Sequence, residues 1–464
     1  MFANEEEEVK KLKEEILFKK KNVYEVLDEN DEREMEALSR EYKEFLDLSK
    51  TEREAVKQAI EHAHSAGFVE YHFGDKLEEG GKYYYNNRGK AIYLFVIGTE
   101  PASEGVRISA AHIDSPRLDL KQHPLYEEGN MGFFKTHYYG GIKKYQWTAT
   151  PLSLHGRVVR ADGGYVDIVI GEDDTDPVFY INDLLPHLAK DQVSRSLAEG
   201  IPGEKLNILI GSKPFTANGD IKLGIMKIIS DKYGITESDL MSAELTLVPA
   251  FKARDIGFDR SLIGGYGHDD RVCAYPALRA ITEAEKPIHT LMVILADKEE
   301  VGSGGATGMQ SAVFTDILEE IARAKETNFH TLMANSKCLS ADVNAAYDPN
   351  FGEVYETKNS SYINEGVVMT KYTGARGKSG TSDATAEFVG YVRKIFDENN
   401  IVWQTGELGK VDQGGGGTVA IYIANKNIDV VDLGVPVISM HSPYEVIAKA
   451  DLYMTYKAFV AFNK

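Results

Sequence analysis

Five short stretches of this chain carry side chains that can bind a cation or move a proton. In Ala111-His112-Ile113-Asp114-Ser115-Pro116 an imidazole stands two residues before a carboxylate. Residues two apart on a strand share a face, so Asp114 can hold the second ring N–H of His112 and orient it towards a metal. Gly267-His268-Asp269-Asp270-Arg271 places two carboxylates after a glycine-rich turn, where a capped helix start would use the same residue types. Over residues 293–305 an apolar run delivers Glu299 and Glu300 into a glycine-rich loop. Adjacent carboxylates repel, and a cation or a shared proton relieves the repulsion. Asp342, in Leu339-Ser340-Ala341-Asp342, and His441, in Met440-His441-Ser442-Pro443, complete the set. Each stretch alone has an ordinary structural reading. Their conjunction near the ends of strands expected in one sheet points to a ligand site. Carboxylates and imidazoles without thiolate suit Zn, Mn or Co better than a structural cysteine-rich site. A pair of metals roughly 3.5–4 Å apart would need a bridging carboxylate and open positions for water and substrate.

The elements that must position these residues are legible in outline. Residues 5–66 are dense in Glu, Lys, Leu and Ala, without Gly or Pro, and read as two or three amphipathic helices. Residues 92–97 and 106–111 read as adjacent central strands, the second ending at His112. Residues 118–253 alternate short strands (152–159, 165–170) with turns and a helix-like piece at 184–192, which predicts an inserted β-rich domain. From Asp269 onward helices alternate with apolar strands at 290–296, 331–336 and 437–440, and residues 442–462 read largely as a helix. The expected fold is α/β: a domain with a central mixed β-sheet flanked by helices, made of residues 1–117 and 254–464, with the β-rich insert at 118–253.

Composition narrows the partners. Lys and Arg number 52 against 72 Asp and Glu, a formal charge of -20, which repels phosphate backbones and anionic lipid; neither nucleic acid nor membrane is an expected partner. Cys273 and Cys338, outside any CxxC pattern, are too few for a disulfide framework and fit a reducing compartment. The first residues lack a basic then apolar leader pattern, and no run reaches the roughly 18 apolar residues of a membrane span. Cytoplasmic localisation is the expectation.

Taken together, His112-Ile113-Asp114-Ser115-Pro116, His268-Asp269-Asp270-Arg271, Asp297-Lys298-Glu299-Glu300-Val301-Gly302-Ser303, Ser340-Ala341-Asp342 and Met440-His441-Ser442 resemble the M18 family of metallo-aminopeptidases, which includes aspartyl aminopeptidase. The order and spacing of the motifs span nearly the whole chain. The resemblance implies removal of single residues from peptide N-termini with two Zn2+ per subunit, Mn2+ or Co2+ being substitutes. It assigns His112 and Asp342 to one metal, Glu300 and His441 to the other, and Asp269 as the bridge. Glu299 would be the general base, taking a proton from the attacking water and returning it to the leaving amine. It also implies that the insert makes dimer contacts, that the dimers build a tetrahedral dodecamer enclosing the active sites, and that a histidine reaches the site of a neighbouring subunit. Leu185-Pro186-His187-Leu188-Ala189 looks like that segment, so His187 is the candidate in trans; a helix-surface histidine is its plain alternative.

Lys371, Arg376 and Lys378 lie where the family places a basic residue that meets an acidic substrate side chain; a solvated loop is the equal alternative. Tyr347-Asp348-Pro349-Asn350 and residues 412–418 depart from the aspartyl aminopeptidase pattern, leaving acidic, neutral and basic N-terminal residues all open as substrates. Two rival readings share part of the signal. An M20-type carboxypeptidase, dipeptidase or deacylase has the same ligand order but carries its extra domain after the Glu-Glu pair, whereas here the long stretch lies between Asp114 and Asp269. A non-catalytic scaffold on a decayed peptidase fold is disfavoured by the intact Glu299.

Overall fold

The structure, a computed structural model, describes residues 2–217 and 219–464. The polar N-terminal stretch forms helices Phe2–Ile16, Glu29–Asp47 and Glu52–Ser65. The second and third begin in capping boxes: the Asp28 carboxylate accepts the Asn30 and Asp31 N–H groups, and the Thr51 hydroxyl accepts that of Glu54. Met35, Leu38, Tyr42 and Phe45 on one helix and Ala55, Val56 and Ala59 on the next are buried, in the same core as helices His268–Thr282 and Lys449–Phe462.

The strands, in chain order, are β1 (Val69–Glu70), β2 (Lys82–Asn87), β3 (Ala91–Val96), β4 (Val106–His112), β5 (Arg117–Glu128), β6 (Met131–Tyr139), β7 (Leu152–Val159), β8 (Tyr165–Ile170), β9 (Tyr180–Ile181), β10 (Ile208–Gly211), β11 (Ala243–Pro249), β12 (Arg254–Ile256), β13 (Leu262–Gly265), β14 (Thr290–Ala296), β15 (Lys337–Ala341), β16 (Asn344–Ala345), β17 (Val367–Thr370), β18 (Trp403–Thr405), β19 (Asp429–Gly434), β20 (Pro436–Val437) and β21 (Glu445–Ala448). Among the described residues a nine-stranded sheet runs β1-β2-β3-β14-β4-β15-β19-β17-β18, and a seven-stranded sheet runs β8-β7-β11-β5-β6-β10-β9.

The large sheet is covered on both faces. Ile92, Leu94 and Val96 of β3 enter one core with Leu291, Val293 and Leu295 of β14, while Tyr93, Phe95, Met292 and Ile294 enter the other. A strand buried on both sides must be apolar at every position, which is why these runs show no alternation. Fully burying each such side chain is worth about 1.5–3 kcal/mol before conformational entropy is charged. The four strands β14, β4, β15 and β19 are mutually parallel, so their C-terminal ends open on one edge of the sheet. The seven-stranded sheet has its own core, including Leu118, Phe134, Trp147, Leu154, Val158, Leu245 and Leu247. No helix among the described residues is long and apolar enough to cross a membrane.

Several expectations are corrected. Strands β3 and β4 are not neighbours, because β14 lies between them, antiparallel to β3 and parallel to β4. An apolar run reports burial on two faces, not the order of strands. Residues 331–335 lie in helix Phe329–Asn335, with Ser336 its C-terminal cap, and the helix start is capped by the Asn328 side chain; the strand is the following segment, β15. Residues 437–440 contribute only the short β20, since Ser439 takes a left-handed φ of 60° that ends the extended run, and the sheet strand is β19. The C-terminal helix starts at Lys449, after β21. Residues 184–192 form a 3-10 turn, Pro186–Leu188, and the first residues of the one-turn helix Lys190–Val193.

Candidate metal centre

The open edge of parallel strands collects the residues the sequence singled out. His112 is the last residue of β4, and Asp342 follows the last residue of β15. Beyond β14 the chain turns through Lys298, in the left-handed region at φ 68°, into the short turn Glu299–Val301, which presents the two glutamates. Asp269 stands at the irregular start of helix His268–Thr282, with φ -78° and ψ 107°.

Asp269 lies between two imidazoles. Its Oδ1 is 3.1 Å from His112 Nε2 and its Oδ2 is 3.1 Å from His441 Nε2. Asp342 Oδ1 and Glu299 Oε2 approach His112 Nε2 to 3.8 and 3.9 Å, and Glu300 Oε1 approaches His441 Nε2 to 3.6 Å. Each ring is oriented from behind. His112 Nδ1–H donates to the Asp114 carbonyl oxygen at 3.0 Å, and His441 Nδ1–H donates to that of Gly141 at 2.8 Å. A carbonyl can only accept, so both rings carry a proton on Nδ1 and turn Nε2 towards Asp269; in the absence of a metal Nε2 holds a proton as well and directs it at the carboxylate, the place a cation would take.

Asp114 acts differently from the expectation of a strand-face partner. It lies beyond the end of β4, and its main-chain oxygen makes the ring contact, with Oδ1 3.3 Å from Nδ1. Its buried carboxylate accepts the N–H groups of Glu299 (3.1 Å) and Glu300 (3.2 Å) and the Tyr139 hydroxyl (2.8 Å). Glu445, fully buried, accepts the N–H groups of Asp269 (3.0 Å) and His441 (2.7 Å) through its two carboxylate oxygens. Tyr139, Gly141 and Glu445 were not singled out by sequence; the glycine pair after Tyr139 and the acid four residues beyond His441 were the only local signals.

The electrostatics are those of crowded acid in a dry place. Burial pushes the Glu300 and Asp342 carboxyls well above the usual carboxylate range, reinforced by Asp269 and Glu299 respectively, and burial with the charges of Asp269 and Asp114 raises Glu299 as well. Burial would also raise Asp269, but the flanking His112 and His441 hold it far down. Burial opposes the charging of His441, yet its contact with Asp269 carries it up to about 10. A cation brings the same relief as these protons and competes with them. Glu300 Oε1 is buried without a hydrogen-bond partner, and Asp269 Oδ1 makes no well-aligned hydrogen bond although His112 Nε2 stands 3.1 Å away; an unmet buried oxygen costs about 1–3 kcal/mol unless something else binds there. Ligand atoms of His112, Glu299 and Asp342, and of His112, Asp269 and Glu300, lie within 4.8 Å of one another. The donor set, its orphaned oxygens and its oriented rings fit a metal.

Other expected site residues are not brought to this cluster within the subunit. His187 is exposed on the Pro186–Leu188 turn. Lys371 and Lys378 both pair with Asp383, the latter at 2.9 Å, and Arg376 is exposed on the same turn.

Residues 45–463 match the family model described as aminopeptidase I zinc metalloprotease (M18). The probable M18 family aminopeptidase 1 of Clostridium acetobutylicum is 48% identical over 458 residues, covering 96% of this chain and 98% of that protein. Among solved structures, the M18 aminopeptidase of Thermotoga maritima superposes with a TM-score of 0.92 at 43% identity, over 96% of this chain and 99% of its own. The yeast mApe1 dodecamer shares the fold, with a TM-score of 0.76 at 23% identity over 93% of this chain and 97% of its own. With a family model spanning nearly all of its length and relatives this similar from end to end, the chain belongs to the M18 family of zinc aminopeptidases.

Proposed function

We propose that this aminopeptidase removes N-terminal residues from peptides at a centre holding two Zn2+ ions, with His112 and Asp342 at one, Glu300 and His441 at the other, and Asp269 bridging them. The observation that carries this reading is Asp269, which offers one carboxylate oxygen to each of two imidazole Nε2 atoms at 3.1 Å. Four carboxylates, Asp269, Glu299, Glu300 and Asp342, stand beside two neutral-capable imidazoles, a charge that two divalent ions would balance. Bound zinc supplies a Lewis acid for the scissile carbonyl and makes a water more acidic.

Glu299 is the general base in this reading. Its Oε2 lies 3.9 Å from His112 Nε2, it stands outside the two imidazole–Asp269 pairs, and its proton affinity is already raised by burial. Its carboxylate takes a proton from the attacking water and delivers it to the leaving amine nitrogen. Asp114 fixes the base by holding the N–H groups of Glu299 and Glu300. Residues 1–117 and 254–464 form the catalytic part, and the insert at 118–253 pairs subunits. Its exposed Leu188 and Val193, 69% and 78% accessible, flank His187 and support that role. The dodecamer named for yeast mApe1 is the assembly proposed by analogy.

Wild type and Glu299→Gln would be compared on peptides differing only in their first residue, free and N-acetylated. The expected result is stepwise release from free N-termini and a kcat lower by about 10^2–10^4 in the variant, with zinc retained. Equal rates would reject Glu299 as the base, and cleavage of blocked peptides would reject the aminopeptidase reading.

A further inference from the structure

We infer that Tyr139-Gly140-Gly141, at the end of β6 in the seven-stranded sheet, is a positioning element of the metal centre, so that this sheet takes part in holding the catalytic geometry as well as any subunit contact. The inference rests on the centre proposed above. Three consecutive residues touch three different parts of it. The Tyr139 hydroxyl donates to Asp114 Oδ2 at 2.8 Å. Gly140, at φ 73°, lies against Glu300: a Cβ there would stand 3.1 Å from Glu300 Oε2 and 3.4 Å from Glu300 Cβ. The Gly141 carbonyl accepts the His441 Nδ1–H at 2.8 Å, across 300 residues of sequence.

The segment is itself held firmly. Tyr139 pairs with Arg117 in the β5–β6 ladder, and the Arg117 guanidinium lies over the Tyr139 ring, 4.1 Å from its centroid. Arg117 in turn is tied to Glu52 at 2.7 Å and to Asp119 at 2.8 Å. A hydroxyl anchored in this way fixes Asp114, whose carboxylate also receives the N–H groups of both glutamates and whose carbonyl sets the His112 ring. The Gly141 carbonyl does the same for His441. Such outer partners typically account for about 10–100-fold in metal affinity or activity.

Tyr139→Phe removes one hydroxyl and keeps the ring beneath Arg117; Gly140→Ala adds one methyl against Glu300 and serves if the first variant folds poorly. Three readouts would be taken: zinc affinity by competition with a chromogenic chelator, kcat and KM separately, and the Tm of zinc-free protein. The expected outcome is zinc binding weakened about 10–100-fold and kcat reduced over a similar range, KM within about twofold, and a zinc-free Tm close to wild type in Tyr139→Phe; in Gly140→Ala the zinc-free Tm is lower, because an alanine at φ 73° is strained. Wild-type zinc affinity and kcat in both variants would overturn the inference, as would a fall in zinc-free Tm with zinc affinity and kcat untouched. Asp269→Asn is the control that separates the two levels. If it loses zinc while Tyr139→Phe and Gly140→Ala behave as wild type, the centre stands and the positioning role falls; if it retains zinc, the centre falls and this inference with it.

Discussion

His112 and His441 face the same carboxylate, that of Asp269, from opposite sides but live in different surroundings. The His112 side chain is 1% exposed, whereas that of His441 is 36% exposed. If the centre holds two ions as proposed, release of each requires water and chelator to reach its ligands, so the position assigned to His441 and Glu300 should exchange first. Under mild chelation, metal loss followed by a colorimetric indicator is expected in two phases of similar amplitude. In His441→Ala the fast phase should vanish and the bound metal fall by about one ion per subunit. A single phase in wild type, or two ions still held by the variant, would count against the asymmetry. The ligand candidates could be picked out of the sequence because imidazoles and paired acids at strand ends are chemically conspicuous. Tyr139, Gly141 and Glu445 could not, because a hydroxyl, a main-chain carbonyl and a carboxylate that only receives N–H bonds look like any others until the chain is folded. Asp114 shows the same limit: its type was legible, but the contact its main chain makes with His112 was not.

Helix Lys449–Phe462 carries an acid with a different task. Asp451 is fully buried and accepts the N–H groups of Asn364 and Gly366, each at 2.8 Å, where the chain enters β17. Burial pushes its carboxyl up to about 8, with the two N–H bonds pulling the other way. An unfolded aspartate titrates near about 3.9, so between about pH 4 and pH 8 the folded chain holds a proton that the unfolded chain has released. The contribution of Asp451 to stability is therefore complete below about pH 4 and is lost as the pH rises towards about 8. Asp451→Asn cannot ionise. The difference in Tm, variant minus wild type, is expected to rise steadily across that window, and a flat difference would show that Asp451 titrates normally. At this scale the sequence located β7, β8 and β14 residue for residue, since each is a compact apolar or alternating run between turn residues. It misplaced the strand near residue 331, where a good apolar stretch is captured by the Asn328 cap and becomes helix. The same local pattern served both states, and packing chose between them.

At the scale of the whole molecule the unanswered demand is a surface. The segment around His187 exposes Leu184, Leu185, Leu188, Val193 and Leu197 on a chain whose net charge of -20 otherwise favours separation. Exposed apolar side chains in the stretch of chain that carries an exposed histidine fit a segment that docks on a second copy and presents His187 to that copy's centre. This can be tested with two variants that are each inactive for a different reason. His187→Ala keeps Glu299 but lacks the histidine it would lend, and Glu299→Gln keeps the histidine but lacks the base. In a mixed dimer, the His187→Ala subunit contributes an intact Glu299 and receives His187 from its partner, so one of the two sites is whole. Coexpression with two different tags allows the mixed species to be isolated, and random pairing would leave about a quarter of all sites whole. The coexpressed pool is expected to regain activity towards about a quarter of the wild-type rate; in a dodecamer nearly every particle carries both tags, so the doubly tagged fraction shows the same quarter, and it would reach about half only if the assembly were a free dimer. Simply mixing the purified variants should recover this only as fast as subunits exchange. If the coexpressed pool shows no more than the average of the two parents, His187 does not act across subunits.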